Sequence, residues 1–317
     1  MKAIDFGVHL PIMDFGEGFS KEKIISFAGK AEDLGYDSLS VNDHIAFRTS
    51  WLDAVSTLSA VAATTDKIRI GTSILNIVIR TPVVSAKTLS SIDILSSGRL
   101  FAGVGPGSYK EDYVACGIPF EERWQRFTEA LEILLTLWNQ NNNETDESKV
   151  DYNGRHYKLK GVLNDPKPIQ RPHPPILVGS WGSDAGLRRV AKYGDGWMAS
   201  AYNITPDKFK EKWKTLLSLR KELGKDVESF ENSVMTMFGY INEDEKEANK
   251  IARQVMSPAL GRPAEELESL LLFGSVDKCF RKINALVEAG VKRIHFWPVK
   301  DYNEQIEIFM KGIVNYF

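Results

Sequence analysis

Ile4, Phe6, Val8 and Leu10 alternate with polar or small residues, the period-2 pattern of a half-buried strand, and Pro11 closes it, so residues 5–10 read as a strand. The apolar period then lengthens to that of a helix over 20–34, with Ser20 placed as N-cap and Gly35 in the C′ position. The same switch recurs along the chain. Strands are predicted over 38–41, 68–74, 100–104, 176–178, 196–200, 233–240 and 294–298. Helices follow them at about 52–64, 82–95, 121–138, 184–193, 206–223, 276–289 and 303–316, and residues 243–272 are helical and highly charged. Pro82 stands where a helix starts, and Gly98 just beyond where it stops.

Strands alternating with helices predict a parallel sheet. The economical architecture is α/β, a (β/α)8 TIM barrel with insertions; a doubly wound open sheet is the alternative. Residues 1–317 read as one domain, with insertions at about 141–165 and 243–272. The stretch NQNNNETDESK has too little apolar content to pack. Residues 150–159 carry Asn153-Gly154 between short alternating runs, a hairpin signal. Residues 165–175 are proline-rich and extended.

Composition narrows the function classes. The 317 residues are 43% hydrophobic and 26% charged, enough for a large core, and the net charge of −2 offers no electrostatic case for nucleic acid or an anionic membrane. The two cysteines, Cys116 and Cys279, fit neither a metal spacing nor a disulfide framework. No leader pattern and no apolar run of about 18 residues is present. The expectation is a cytoplasmic protein acting on a small molecule.

A barrel places its chemistry on the loops after its strands. That rule selects Pro11, Asn42-Asp43-His44, residues 73–76, 105–109, 179–181 and 200–202, and Trp297. Asp43-His44 is the one acid–histidine pair among them; no G-x-S-x-G elbow, H-E-x-x-H motif or metal-spaced cluster occurs. Glycines, small hydroxyl residues and aromatics dominate, a lining suited to a planar ligand with a phosphate tail. Gly105-Pro106-Gly107-Ser108 is neither a Walker A loop nor a G-x-G-x-x-G fingerprint. Gly179-Ser180-Trp181-Gly182 opens a helix and is the better phosphate candidate, since helix N-termini attract anions; a plain cap at Ser183 or Asp184 is the other reading. His44 reads either as an acid–base group or as a loop histidine satisfied by Asp43. Gly71-Thr72-Ser73 marks either a bulge or a pocket floor. Trp51, Tyr109, Tyr113, Trp181 and Trp297 are candidates for a substrate pocket, Trp124 and Trp138 for the core, and Arg80 and Lys110 for solvated charges within reach of a phosphate.

Several segments, in order and spacing, resemble the bacterial luciferase-like monooxygenase family: AEDLGYDSLSVNDHI, IRIGTSILNIVIRTPVVSAKTLSSIDILSSGRLFAGVGPGS, PFEERWQRFTEALEIL, PPILVGSWGS and AKYGDGW. The resemblance implies a TIM barrel binding FMN or coenzyme F420, with a non-prolyl cis peptide at Ser73-Ile74. It implies Asp43 and His44 beside the ring or substrate, ring contacts at Thr72, Ser73, Gly105 and Gly107, and a phosphate site at Gly179, Ser180, Trp181 and Gly182. The expected activity is monooxygenation with reduced FMN and oxygen, supplied by a separate flavin reductase, in a homodimer. F420-dependent hydride transfer is the alternative. Outside the redox class stand a sugar-phosphate-binding barrel and a catalytically idle flavin-binding subunit.

Overall fold

A computed structural model describes residues 4–139 and 149–317. Its elements, in chain order, are β1 (Asp5–His9), α1 (Lys21–Asp33), β2 (Ser38–Val41), α2 (Ala54–Ala62), β3 (Arg69–Thr72), β4 (Leu75–Asn76) and α3 (Pro82–Leu95). There follow β5 (Leu100–Gly105), α4 (Lys110–Ala115), α5 (Arg123–Asn139), the hairpin β6 (Val150–Asn153) and β7 (Lys158–Val162), β8 (Ile176–Gly179), α6 (Asp184–Tyr193) and β9 (Gly196–Ser200). The chain continues with α7 (Pro206–Glu222), β10 (Glu231–Ile241), α8 (Glu245–Ile251), α9 (Ser257–Leu260), α10 (Ala264–Leu270), β11 (Leu272–Gly274), α11 (Val276–Glu288), β12 (Arg293–Pro298) and α12 (Tyr302–Gly312).

Parallel pairing runs β10-β12-β1-β2-β3-β5-β8-β9, and β9 pairs back onto β10. That closure makes the sheet a barrel and excludes the open-sheet alternative. β4 and β11 extend it at β5 and β10. Helices are started by the residues that the sequence supplies: Ser20, Asp53, Ser183, Thr205 and Ser275 each accept a first-turn N–H. Barrel strands such as β5 and β12 are buried on both faces because helices cover the outside and side chains fill the inside. Gly103 is a place where only a hydrogen fits: a Cβ there would lie 1.9 Å from the Thr72 carbonyl oxygen and 2.6 Å from the Met198 sulfur. Deep in the barrel His295 bridges the Ser38 and Ser40 hydroxyls at 2.9 Å each.

The structure alters several predicted elements. The strand expected over 68–74 ends at Thr72, and the Ser73-Ile74 peptide is cis before the chain resumes as β4. Short helix α4 precedes α5, which begins at Arg123. The hairpin forms, but its turn is not a two-residue Asn-Gly turn. Residues 154–157 make it, and the Glu129 carboxylate on α5 accepts the N–H groups of Arg155, His156 and Tyr157. The part of the expected insertion over 141–148 lies outside the described residues. Residues 243–272 are helical, with a π-helical turn at Ala252–Met256. No helix among the described residues is long and apolar enough to cross a membrane.

Candidate functional site

A cavity of about 380 Å³ opens at the C-terminal ends of β2, β3, β5, β8, β9 and β10. On the β10-β12-β1 side the mouth is filled instead by a column of rings. His9 stacks on Trp297 at 3.3 Å, and Trp297 stacks on Phe238 at 4.3 Å. Ile74, just after the cis bond, projects between the ends of β5 and β8. A Cβ on Gly105 would lie 3.0 Å from Ile74 Cγ1, and one on Gly179 would lie 2.8 Å from Ile74 Cγ2. Glycines at these two strand ends therefore leave a slot beside Ile74 that any side chain would narrow. Gly107, at φ 67°, makes the turn beyond β5.

His44 lies on the wall of this cavity, and its partner is Asp112 of α4. Nδ1–H donates to Asp112 Oδ2 at 2.7 Å, which leaves Nε2 as the nitrogen able to serve a ligand. Asp112 Oδ1 accepts the N–H groups of Ile45 and Ala46 at 2.8 and 2.7 Å. Burial works against charge on Asp112, but the His44 contact and the two N–H groups outweigh it and hold the carboxyl below its ordinary range. Phe47 and Trp51 pack against the imidazole at 4.4 and 4.6 Å and fix its plane.

Asp43, expected as His44's companion, is committed elsewhere. Its buried carboxylate accepts from Arg80 Nε at 2.8 Å, Arg80 Nη2 at 2.7 Å and the Asn76 N–H at 3.1 Å. Arg80 also pairs with Asp53, so it is neither a solvated charge nor a phosphate ligand. Burial opposes its charge, yet the two carboxylates raise its pKa above the ordinary arginine value. Asp43 thus ties the loop after β2 to the segment after β4, and the acid–histidine dyad is His44–Asp112.

Ser73, Gly105, Gly107, Gly179, Ser180 and Trp181 line the cavity. Thr72 does not: its hydroxyl is buried and bonded to the Gly103 carbonyl at 2.7 Å. Gly182 makes the turn behind the loop, at φ 89°. Of the five aromatics expected in a substrate pocket, Trp181 lines the cavity, and Trp51 and Tyr109 sit behind His44 rather than on the wall. Tyr113 and Trp297 are wholly buried; Tyr113 donates to the Pro106 carbonyl. Trp124, expected in the core, is 43% exposed and lines the cavity, as does the 59% exposed Trp181. Trp138 is core, as expected.

Arg123, Met198, Met235 and Thr236 also line the cavity and had no sequence signal that singled them out. Asp112 lay unmarked in the run after the glycine loop, 68 residues from its histidine partner.

The loop at 179–183 is held rigidly. Ser180 N–H donates to the Met198 carbonyl at 3.0 Å, and Trp197 Nε1 donates to the Ser180 carbonyl at 2.9 Å. Ser183 caps α6, so the capping reading is true, yet the remaining first-turn N–H groups still face outward from a helix start. Arg123 lies on the same cavity wall with its Nε buried and without a hydrogen-bond partner among the described residues. A slot walled by glycines, a helix start and an orphaned guanidinium N–H fit a flat ring carrying an anionic tail. Among the described residues no group of acids, histidines and cysteines could hold a metal.

A family model described as luciferase-like monooxygenase matches residues 5–293. An uncharacterized Mycobacterium bovis protein is 32% identical over 175 residues, 55% of this chain and 58% of its own length. An F420-dependent glucose-6-phosphate dehydrogenase of Amycolatopsis mediterranei is 31% identical over 199 residues, 58% of this chain and 55% of its own. Each match therefore spans less than two thirds of the relative. The solved structure of an F420-dependent secondary alcohol dehydrogenase with an F420–acetone adduct superposes at a TM-score of 0.83, with 20% identity over 98% of both chains, which establishes likeness of fold. The match over nearly the whole barrel makes this chain a member of the luciferase-like monooxygenase family of oxidoreductases.

Proposed function

We propose that this protein is a coenzyme F420-dependent oxidoreductase that exchanges a hydride with a small alcohol or carbonyl substrate. The observation that carries the reading is the His44–Asp112 dyad on the wall of a ring-sized cavity. The reading reverses the order suggested by the sequence, where FMN with oxygen stood first. Support for the reversal comes from the Amycolatopsis mediterranei relative and the secondary alcohol dehydrogenase, whose names specify F420.

Gly105, Gly179 and Ile74 would hold the ring, and the loop at 179–183 with Arg123 would hold the anionic tail. When bound, the deazaflavin supplies the two-electron hydride chemistry. The protein supplies the proton chemistry and the positioning. His44 Nε2 faces a substrate oxygen as proton acceptor in the oxidative direction and proton donor in the reductive one. Asp112 keeps the proton on Nδ1 and stabilises the imidazolium that forms. Ile74 and the surrounding Met198 and Met235 side chains keep the ring's surroundings apolar.

The test is a parallel fluorescence titration of apoprotein with F420 and with FMN. Selective F420 binding is expected. Selective FMN binding would restore oxygen-dependent chemistry, and binding of neither would bring forward a non-redox barrel acting on a sugar phosphate.

A further inference from the structure

At the β10 end of the cavity that His44 lines, the regular strand breaks. The β10–β12 register shifts between Val234 and Met237, and within the shift Thr236 adopts φ 58°. A β-branched residue in that region is a genuine outlier, and bulges of this kind re-aim side chains next to sites. Here the bulge turns Met235 and Thr236 toward the cavity. Thr236 Oγ1 donates to the Met235 carbonyl at 2.6 Å and lies 3.0 Å from Ser200 Oγ, at the end of β9. Asn203 Nδ2 donates to the same Ser200 oxygen at 3.1 Å.

Counting protons fixes what this cluster can bind. Thr236 has spent its proton on Met235, so the Ser200 proton points to Thr236, to the neighbouring Tyr202 hydroxyl or into the cavity. One rotatable donor and free lone pairs on both oxygens remain, the complement of a neutral hydroxyl. An anion would need several donors or a cation. Among the described residues the one Lys or Arg lining the cavity is Arg123, on the α5 wall. Arg262, which donates to the Tyr202 carbonyl, is paired with Glu266 at 3.1 Å and does not line it. Much of the rest of the wall is apolar: Ile74, Trp124, Trp181, Met198 and Met235.

We infer that Ser200 and Thr236, steadied by Asn203, form the substrate subsite, and that it takes the hydroxyl of an uncharged alcohol with an apolar body rather than a phosphate ester or a carboxylate. The inference rests on the F420 reading above and adds the substrate class to it.

The test loads the protein with reduced F420, on which an alcohol cannot turn over, and measures binding of cyclohexanol and of cyclohexanecarboxylate by calorimetry. Cyclohexanol binds and the carboxylate does not compete. In Ser200→Ala/Thr236→Val the cyclohexanol Kd rises about tenfold, the loss of one to two neutral hydrogen bonds, while the F420 Kd is unchanged. Ser200→Ala alone leaves the bulge untouched and shows the same direction. An unchanged cyclohexanol Kd in both variants, a carboxylate bound as tightly as the alcohol, or an F420 Kd that rises in step would overturn the subsite. Failure of wild-type protein to bind F420 at all would overturn the cofactor reading, and this inference with it.

Discussion

Replacing Asp112 by asparagine should disable His44 without disturbing the loop that carries it. The two side chains have the same shape. Asp112 Oδ1 accepts the Ile45 and Ala46 N–H groups, a task that the asparagine carbonyl oxygen performs equally well. That anchoring turns the new NH2 toward His44 Nδ1, where the carboxylate oxygen stood 2.7 Å away. Nδ1 must then accept, so the imidazole proton moves to Nε2, and the nitrogen facing the cavity can no longer take a proton. General acid–base catalysis contributes about 10²–10⁴-fold, which corresponds to roughly 3–5 kcal/mol of barrier. Steady-state turnover with a saturating alcohol should therefore fall by about that factor, with KM and the F420 Kd moving less than about threefold. Asp112→Ala should lose as much turnover and also stability, because two N–H groups lose their acceptor at about 1–3 kcal/mol each. Asp112→Asn turning over within threefold of wild type would remove the dyad from the mechanism.

Other consequences are equally open to measurement. Arg80→Met leaves the fully buried Asp43 carboxylate with the Asn76 N–H alone and should cost about 3–5 kcal/mol in urea unfolding; a loss below 1 kcal/mol would show that the pair is not a structural tie. Gly179→Val drives a side chain into Ile74, whose Cγ2 lies 2.8 Å from the Cβ position, and should weaken cofactor binding more than tenfold with native circular dichroism; an unaltered Kd would place the ring elsewhere. Burial pushes His9 from 6.5 down to about 3, only partly offset by its bond to the Leu10 carbonyl. The unfolded chain therefore binds the proton first, so the stability His9 contributes is complete above pH 6.5 and declines as pH falls toward 3. His9→Phe, which keeps a ring on Trp297, should flatten the acid limb of the stability profile; an identical slope would refute the assignment.

The barrel was legible in the sequence because its signals are local. Ser183 before a 3.6-period run defines α6, and the glycines after β5 and β8 mark the strand ends where a ligand approaches. The partners inside the site were not legible, because pairing is settled by three-dimensional packing. Asp43 stands next to His44 in sequence, yet the turn after β2 sends its carboxylate to Arg80. Asp112 comes from a short helix that carries no strong apolar period. Trp297 reads as a pocket aromatic by its position at a strand end, but its stack with His9 closes that side of the barrel. Thr236 looks like any β-branched strand residue; its φ of 58° arises from a register shift that only pairing with β12 creates.

The most direct test of the central claim is reduction of stoichiometric F420 by cyclohexanol, run once under strict anaerobiosis and once in air and followed by the loss of the deazaflavin's visible absorbance. The account predicts bleaching at the same rate with and without oxygen, and transfer of deuterium from the carbinol carbon to the cofactor. Turnover that required reduced FMN and consumed oxygen, with F420 left oxidised, would contradict it.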